Sequence, residues 1–187
     1  MNAFWRRALI LSLVPVAAWG ATDDSDIAVA VEKDGSTIYV KADCPVKAPR
    51  AIVWDVITDY DHMPSFLPNV KQSVIRMRMG NRLQVYQKGE ASRGILTVHY
   101  ENLRDIELLP QNEVKSRIIS GDNMPAEFTT RIEDRGGTLH IVHTGTYTPS
   151  MWVPPGIGTS LIEAETRRQY ADIRNEIMRR AARASAQ

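Results

Sequence analysis

Hydrophobic and polar positions alternate with a period of two in the first patterned stretches of the chain. Residues 27–31 and 37–42 are β-prone, and Lys33-Asp34-Gly35-Ser36 lies between them as a turn. In the second run Ile38, Val40 and Ala42 alternate with Thr37, Tyr39 and Lys41, so one face is predicted to be buried. The period then changes. Between residues 48 and 70, Val53, Trp54 and Ile57 recur at helical spacing behind Pro49, whose missing N–H costs nothing at a helix start. Asp59, Asp61 and Pro64 break that pattern. A second short helical turn is predicted over residues 62–66, closed by Pro68.

Six extended runs follow, at residues 70–79, 82–91, 95–109, 112–120, 126–133 and 138–148. Gly80-Asn81, Ser92-Arg93-Gly94, Gly121-Asp122 and Arg135-Gly136-Gly137 punctuate them. Consecutive strands joined by tight turns imply an antiparallel meander, and the run at 95–109 is long enough to bend or to carry a bulge. Residues 149–158, PSMWVPPGIG, form a loop in which two adjacent prolines and two glycines forbid regular structure. Residues 159–183 make the one long helix. Ile162, Thr166, Tyr170, Ile173, Ile177 and Ala181 give it an apolar stripe, and Glu163, Arg167, Arg174, Glu176 and Arg180 are placed on the opposite faces. A sheet with one apolar face needs a cover. The fold class is therefore α+β, a curved antiparallel sheet around a long C-terminal helix, with two short helices after the first strands.

Composition narrows the function. The chain has 187 residues, enough for one domain. Its 23 basic and 22 acidic side chains leave no bulk charge to attract nucleic acid. The N-terminus reads as a targeting segment. Arg6 and Arg7 precede an apolar run at 8–18, and Ala18-Trp19-Gly20 places small residues where a signal peptidase reads. The expected domains are thus a signal peptide at 1–20 and a ligand-binding domain at 21–187, in a periplasmic protein whose net charge is then −1. Cys44 is the one cysteine, so no internal disulfide can form. Asp43 before it and Pro45 after it mark a strand end, and no adjacent basic residue activates the thiol.

No complete chemical motif is present. His62, His99, His140 and His143 lie in neither an H-x-H nor an H-E-x-x-H arrangement, so no metal site and no cofactor are expected. A G-x-S-x-G elbow is absent, and Gly156-Ile157-Gly158 lacks the context of a phosphate loop. His140 and His143 are three apart on a strand and face opposite ways. His143 shares parity with Leu139, Ile141 and Tyr147, which puts it on the inward face. His143, Tyr100 and Tyr147 are the weak candidates for acid–base chemistry.

The run Val53-Trp54-Asp55-Val56-Ile57-Thr58-Asp59-Tyr60, followed by Met63-Pro64, Phe66-Leu67-Pro68 and Asn69, resembles the START-like (SRPBCC) superfamily, in its polyketide cyclase/dehydrase and coenzyme Q-binding-like branch. The resemblance in order of elements extends over residues 38–184. It implies a helix-grip fold with a cavity between sheet and C-terminal helix. It also implies a hydrophobic small-molecule ligand, a lipid, quinone or isoprenoid-like compound. Trp54, Phe66, Leu67, Phe128, His143, Tyr147, Trp152, Leu161 and Tyr170 are the candidate ligand-binding residues. The expected function is that of a periplasmic carrier, with enzyme activity left open. The alternatives are a polyketide cyclase/dehydrase-like enzyme and an envelope protein–protein interaction module. Arg179, Arg180 and Arg183 add the expectation of a transient membrane-surface contact, against the plainer reading of a solvated helix end.

Overall fold

The computed structural model describes residues 24–93, 96–150, 153 and 157–186. The targeting segment and Trp152 lie outside the described residues. Strands β1 (Ala28–Asp34) and β2 (Thr37–Val46) form a hairpin. Helix α1 (Arg50–Ile57) and a 3-10 helix (Tyr60–Ser65) make the corner. Strands β3 (Val70–Met79), β4 (Arg82–Arg93), β5 (Leu96–Leu109), β6 (Glu113–Gly121), β7 (Ala126–Arg135) and β8 (Thr138–Tyr147) follow, and α2 (Ile157–Ser185) ends the chain. All strands join one antiparallel sheet in the order β1-β2-β8-β7-β6-β5-β4-β3. The meander of β3 to β8 is thus closed at one side by the first hairpin. This is the antiparallel sheet with a long C-terminal helix that the pattern predicts, and the helix-grip arrangement that the resemblance implies.

Pro49 stands at the start of α1 with extended backbone, and its carbonyl accepts the N–H groups of Ile52 and Val53. The buried stripe of α1 is Val53, Val56 and Ile57. Trp54, placed in that stripe by spacing, lies at its edge and is half-buried against the core. The corner helix starts at Tyr60, earlier than predicted, because Tyr60 and Met63 bury one turn apart. Strand β2 runs past Cys44 to Val46, where a strand end was expected. Pairing with β1 stops at Asp43, so Pro45 sits where β2 has a neighbour on one side only. A missing N–H is tolerated there. Arg93, expected in a turn, is instead the last residue of β4.

Helix α2 lies chiefly over β1 and β2 and against α1. Ile173 and Ile177 enter the core as the helical stripe predicts. Arg174 and Glu176, assigned to solvent by spacing, are buried instead. Arg174 Nη1 donates to Asp26 Oδ1 at 2.7 Å. Glu176 accepts from Arg179 and Arg180, and Arg180 Nη2 also donates to Asp59 Oδ2 at 2.7 Å. Ion pairs thereby recover what burial of these charges costs. They tie the C-terminal half of α2 to the chain ahead of β1 and to the α1 corner.

Candidate functional site

Strand register defines the inner face. Opposed residues in an antiparallel pair share a face. Ile38, Val40, Ala42, Cys44 and Val46 of β2 therefore point inward with Tyr147, Gly145, His143, Ile141 and Leu139 of β8. The same rule turns Ala126, Phe128, Thr130 and Ile132 of β7 inward. It does so for Tyr100, Asn102, Arg104 and Ile106 of β5, opposite Gly89, Gln87, Val85 and Leu83 of β4.

This face has two halves of different chemistry. Toward the turn between β7 and β8, Val46, Leu139, Ile141, Ile132, Val114, Ile106 and Leu83 form a closed apolar core with α1, Ile173 and Ile177. Toward the Ala126–Tyr147 end the face becomes aromatic and polar. Phe128, His143 and Tyr147 point inward there yet remain only part-buried. Inward side chains that keep accessible surface mark a cleft and not a packed core.

The cleft is held by specific contacts. The Phe128 ring stacks on His143 at 5.6 Å and meets Tyr147 at 6.2 Å. Tyr170, fully enclosed on α2, comes within 5.6 Å of the His143 ring. His143 Nδ1 and Thr130 Oγ1 share a hydrogen bond of 2.9 Å, and Thr130 also bonds the Tyr170 side chain. Strand β8, strand β7 and α2 are thus joined through one hydroxyl. Arg104 also lies over the Phe128 ring, its Cζ 5.5 Å from the centroid, while its Nε donates to Asn102 Oδ1 at 2.9 Å.

Burial sets the protonation states. It drives the His143 imidazole down to about 4, with the Arg104 charge adding to the effect. Burial pushes the Tyr147 phenol up to about 12. Tyr60 also rises to about 12 by burial, against the pull of Arg104. Tyr100 and Tyr170 rise from the same cause. At neutral pH the imidazole is uncharged and the phenols keep their protons, which leaves Arg104 as the charge among these groups.

At the rim, a polar crevice of about 250 Å³ opens between α2 and the β3–β4 edge, lined by Asn69, Glu90, Glu165, Gln169 and Asp172 among others. Burial raises the Glu165 and Asp172 carboxyls, and Glu165 Oε1 is enclosed without a hydrogen-bond partner. Just inside, the Tyr100 hydroxyl fills the space over Gly89, where a Cβ would meet it at 2.5 Å. A larger depression of about 430 Å³, lined by Tyr39, Lys41, Glu127, Thr144 and Thr146 among others, lies on the outer face of the sheet. It holds none of the aromatic cluster, and the inner face is where the chemistry gathers.

Of the residues singled out by sequence, Phe128, His143, Tyr147 and Tyr170 come together in the cleft, and Tyr100 faces it from β5. Leu161 is part-buried on the first turns of α2. Leu67 is fully buried in the closed core. Trp54 and Phe66 pack against that core, Phe66 beneath the Arg180 guanidinium at 5.7 Å. Sequence reasoning did not single out Arg104, Asn102 or Thr130, and it read Tyr60 only as part of the family run. The signal for Arg104 was present: it shares parity with Ile106 and Leu108 on one strand.

An eight-stranded antiparallel sheet gripping a long C-terminal helix defines a helix-grip protein. The family model described as "Polyketide cyclase / dehydrase and lipid transport" matches residues 46–173, more than half of the chain, and the protein belongs to that family. No curated protein sequence matches it. Three solved structures illustrate the fold. A START superfamily protein from Mycobacterium smegmatis is 16% identical with a TM-score of 0.63, covering 75% of this chain and 97% of that one. The aromatase/cyclase Zhui from Streptomyces is 15% identical with a TM-score of 0.62, covering 79% and 94%. A STAR-related lipid transfer protein from Xanthomonas axonopodis is 10% identical with a TM-score of 0.61, covering 80% and 98%. At such identities the likeness establishes the fold alone.

Proposed function

We propose that the protein binds a hydrophobic small molecule in the cleft between α2 and the aromatic half of the sheet, and carries it unchanged. The observation that carries this reading is the part-buried state of Phe128, His143 and Tyr147 on an inner face whose other half is closed core. An apolar ligand surface of about 300 Å² removed from water contributes roughly 7 kcal/mol before the costs of association. That is enough for useful binding without any catalytic group. Carriage is favoured over turnover by protonation. Burial moves His143 down and Tyr100, Tyr147 and Tyr170 up, away from neutrality, where a general acid or base works best. The signal-peptide pattern at 1–20 supports action after export, in the periplasm.

Native mass spectrometry of the mature protein purified from the periplasm, followed by organic extraction, tests the reading. A reproducible extra mass that extracts as a lipid or quinone is the expected result. A clean unliganded mass, with no uptake from added lipid extract, overturns it.

A further inference from the structure

Arg104 is a part-buried cation with no anion of its own among the described residues. It points inward from β5, directly opposite Val85 of β4. Its Nε is engaged by Asn102, and its Cζ lies over the Phe128 ring. Its two terminal nitrogens find no acceptor among the described residues, and no carboxylate pairs with it there. The groups in electrostatic reach are the phenols of Tyr60 and Tyr100 and the imidazole of His143, all uncharged at neutral pH. On β6 the Ser116 hydroxyl, opposite Phe128, is also enclosed without a hydrogen-bond partner. A part-buried charge without a protein partner loses some of its hydration, and that desolvation lowers the Arg104 pKa. A bound anion would remove that cost.

We infer that the ligand is an amphiphile with a single carboxylate head, which docks on the free edge of the Arg104 guanidinium while its apolar tail lies along Phe128 and Tyr147. This rests on the reading of the cleft as a hydrophobic-ligand site. The fork of the guanidinium matches two carboxylate oxygens. Charge balance selects the head. One guanidinium neutralises one carboxylate, whereas a phosphate monoester brings close to two negative charges and would leave one of them buried without a partner. The Tyr60 and Tyr100 phenols, kept protonated by burial, can donate hydrogen bonds to an anion and cannot repel it.

The test is displacement of an uncharged naphthylamine probe from the mature protein by three amphiphiles of equal chain length: dodecanoate, dodecanol and dodecyl phosphate. Dodecanoate is expected to displace the probe at a concentration at least about tenfold below that of dodecanol, the range of a charge-assisted hydrogen-bonded pair. In Arg104→Met that ratio should fall toward one, and in Arg104→Lys, which keeps the charge without the fork, part of it should survive. Equal potency of acid and alcohol on the wild-type protein overturns the anionic head and leaves hydrophobic binding standing. This comparison needs no variant to fold. A preference for dodecyl phosphate overturns the carboxylate. A ratio unchanged in Arg104→Met overturns the role of Arg104. Failure of the probe and all three amphiphiles to bind overturns both readings.

Discussion

Replacing Gly145 with alanine tests whether the aromatic cluster is held by close cross-strand packing. Gly145 points inward on β8, opposite Phe128 on β7 and Val40 on β2. A Cβ there would lie 2.1 Å from Cδ1 and 2.8 Å from Cε1 of Phe128. Carbon atoms rest at about 3.5–4 Å, so the ring must retreat by roughly 1.5 Å. His143 stacks on it at 5.6 Å, Tyr147 lies at 6.2 Å, and the Arg104 guanidinium sits at 5.5 Å, so each direction of retreat disturbs a neighbour. Overpacking of this kind costs about 1–3 kcal/mol. Relief of glycine entropy in the unfolded chain returns about 0.5–1 kcal/mol. Gly145 does not have a positive φ, so no backbone strain adds to the cost.

The expected net loss is about 1–2 kcal/mol, or a fall in melting temperature of roughly 2–8 °C for a domain of this size. Thermal unfolding followed by circular dichroism, on Gly145→Ala, Phe128→Ala and the double variant, isolates the contact. With the ring removed, the Gly145→Ala change should become neutral or slightly stabilising. If it is equally harmful in both backgrounds, the coupling is zero and the reasoning about the ring fails.

Two further predictions concern pH. The unfolded chain protonates His143 near the ordinary value of about 6.5, whereas burial holds the folded imidazole at about 4. The His143 contribution is therefore full above about 6.5 and drains away toward about 4, roughly 3 kcal/mol in all; urea midpoints across that window should fall for the wild type and flatten in His143→Gln. Burial raises Asp59, but hydrogen bonds from His62 and Arg180 outweigh it; hydrogen bonding by Arg179 leads in lowering Glu176, and Arg180 adds to it. Both carboxyls stabilise the fold above their ordinary values of 3.8 and 4.5 and lose that effect as pH falls through the folded values. Arg180→Met should thus cost about 1–2 kcal/mol at neutral pH, and the gap from wild type should close in acid; a gap that persists there would show that the arginine acts through packing alone.

The elements were legible because the periods are clean and the turns carry glycine. The run at 95–109 was read as long enough for a bulge, and the register of β5 against β6 shifts between Leu103 and Arg104. Parity with Leu139 and Ile141 turned His143 inward, and the β2–β8 register places it opposite buried Ala42. What spacing could not give is which helix covers which part of the sheet. Arg174 and Glu176 fall outside the apolar stripe of α2, yet their partners Asp26, Arg179 and Arg180 make burial tolerable. For Arg104, a charge next to Asp105 reads as a solvent-facing pair, although its parity with Ile106 and Leu108 already points it inward. Its pairing with buried Val85 fixes that inward position.

The division of the inner face separates stability from binding. The C-terminal half of α2 is fixed by Ile173 and Ile177 in the core and by the ion pairs of Arg174 and Arg180. Between Thr159 and Gln169 no side chain is fully buried. The tethers there are weaker, such as the Arg167 guanidinium donating to the Ile27 carbonyl and pairing with Glu163. Opening that half exposes little apolar surface, so it belongs to the low-stability end of the molecule. On the proposed reading, a ligand entering by the crevice beside Glu165 and Gln169 would meet the part of the helix with the fewest buried side chains, while the closed core stays intact. Side chains of the closed core, such as Ile141 and Ile177, should then govern melting temperature. Phe128, Tyr147 and Arg104 should govern affinity at nearly constant fold, because the energy that holds the fold together comes from the other half of the face.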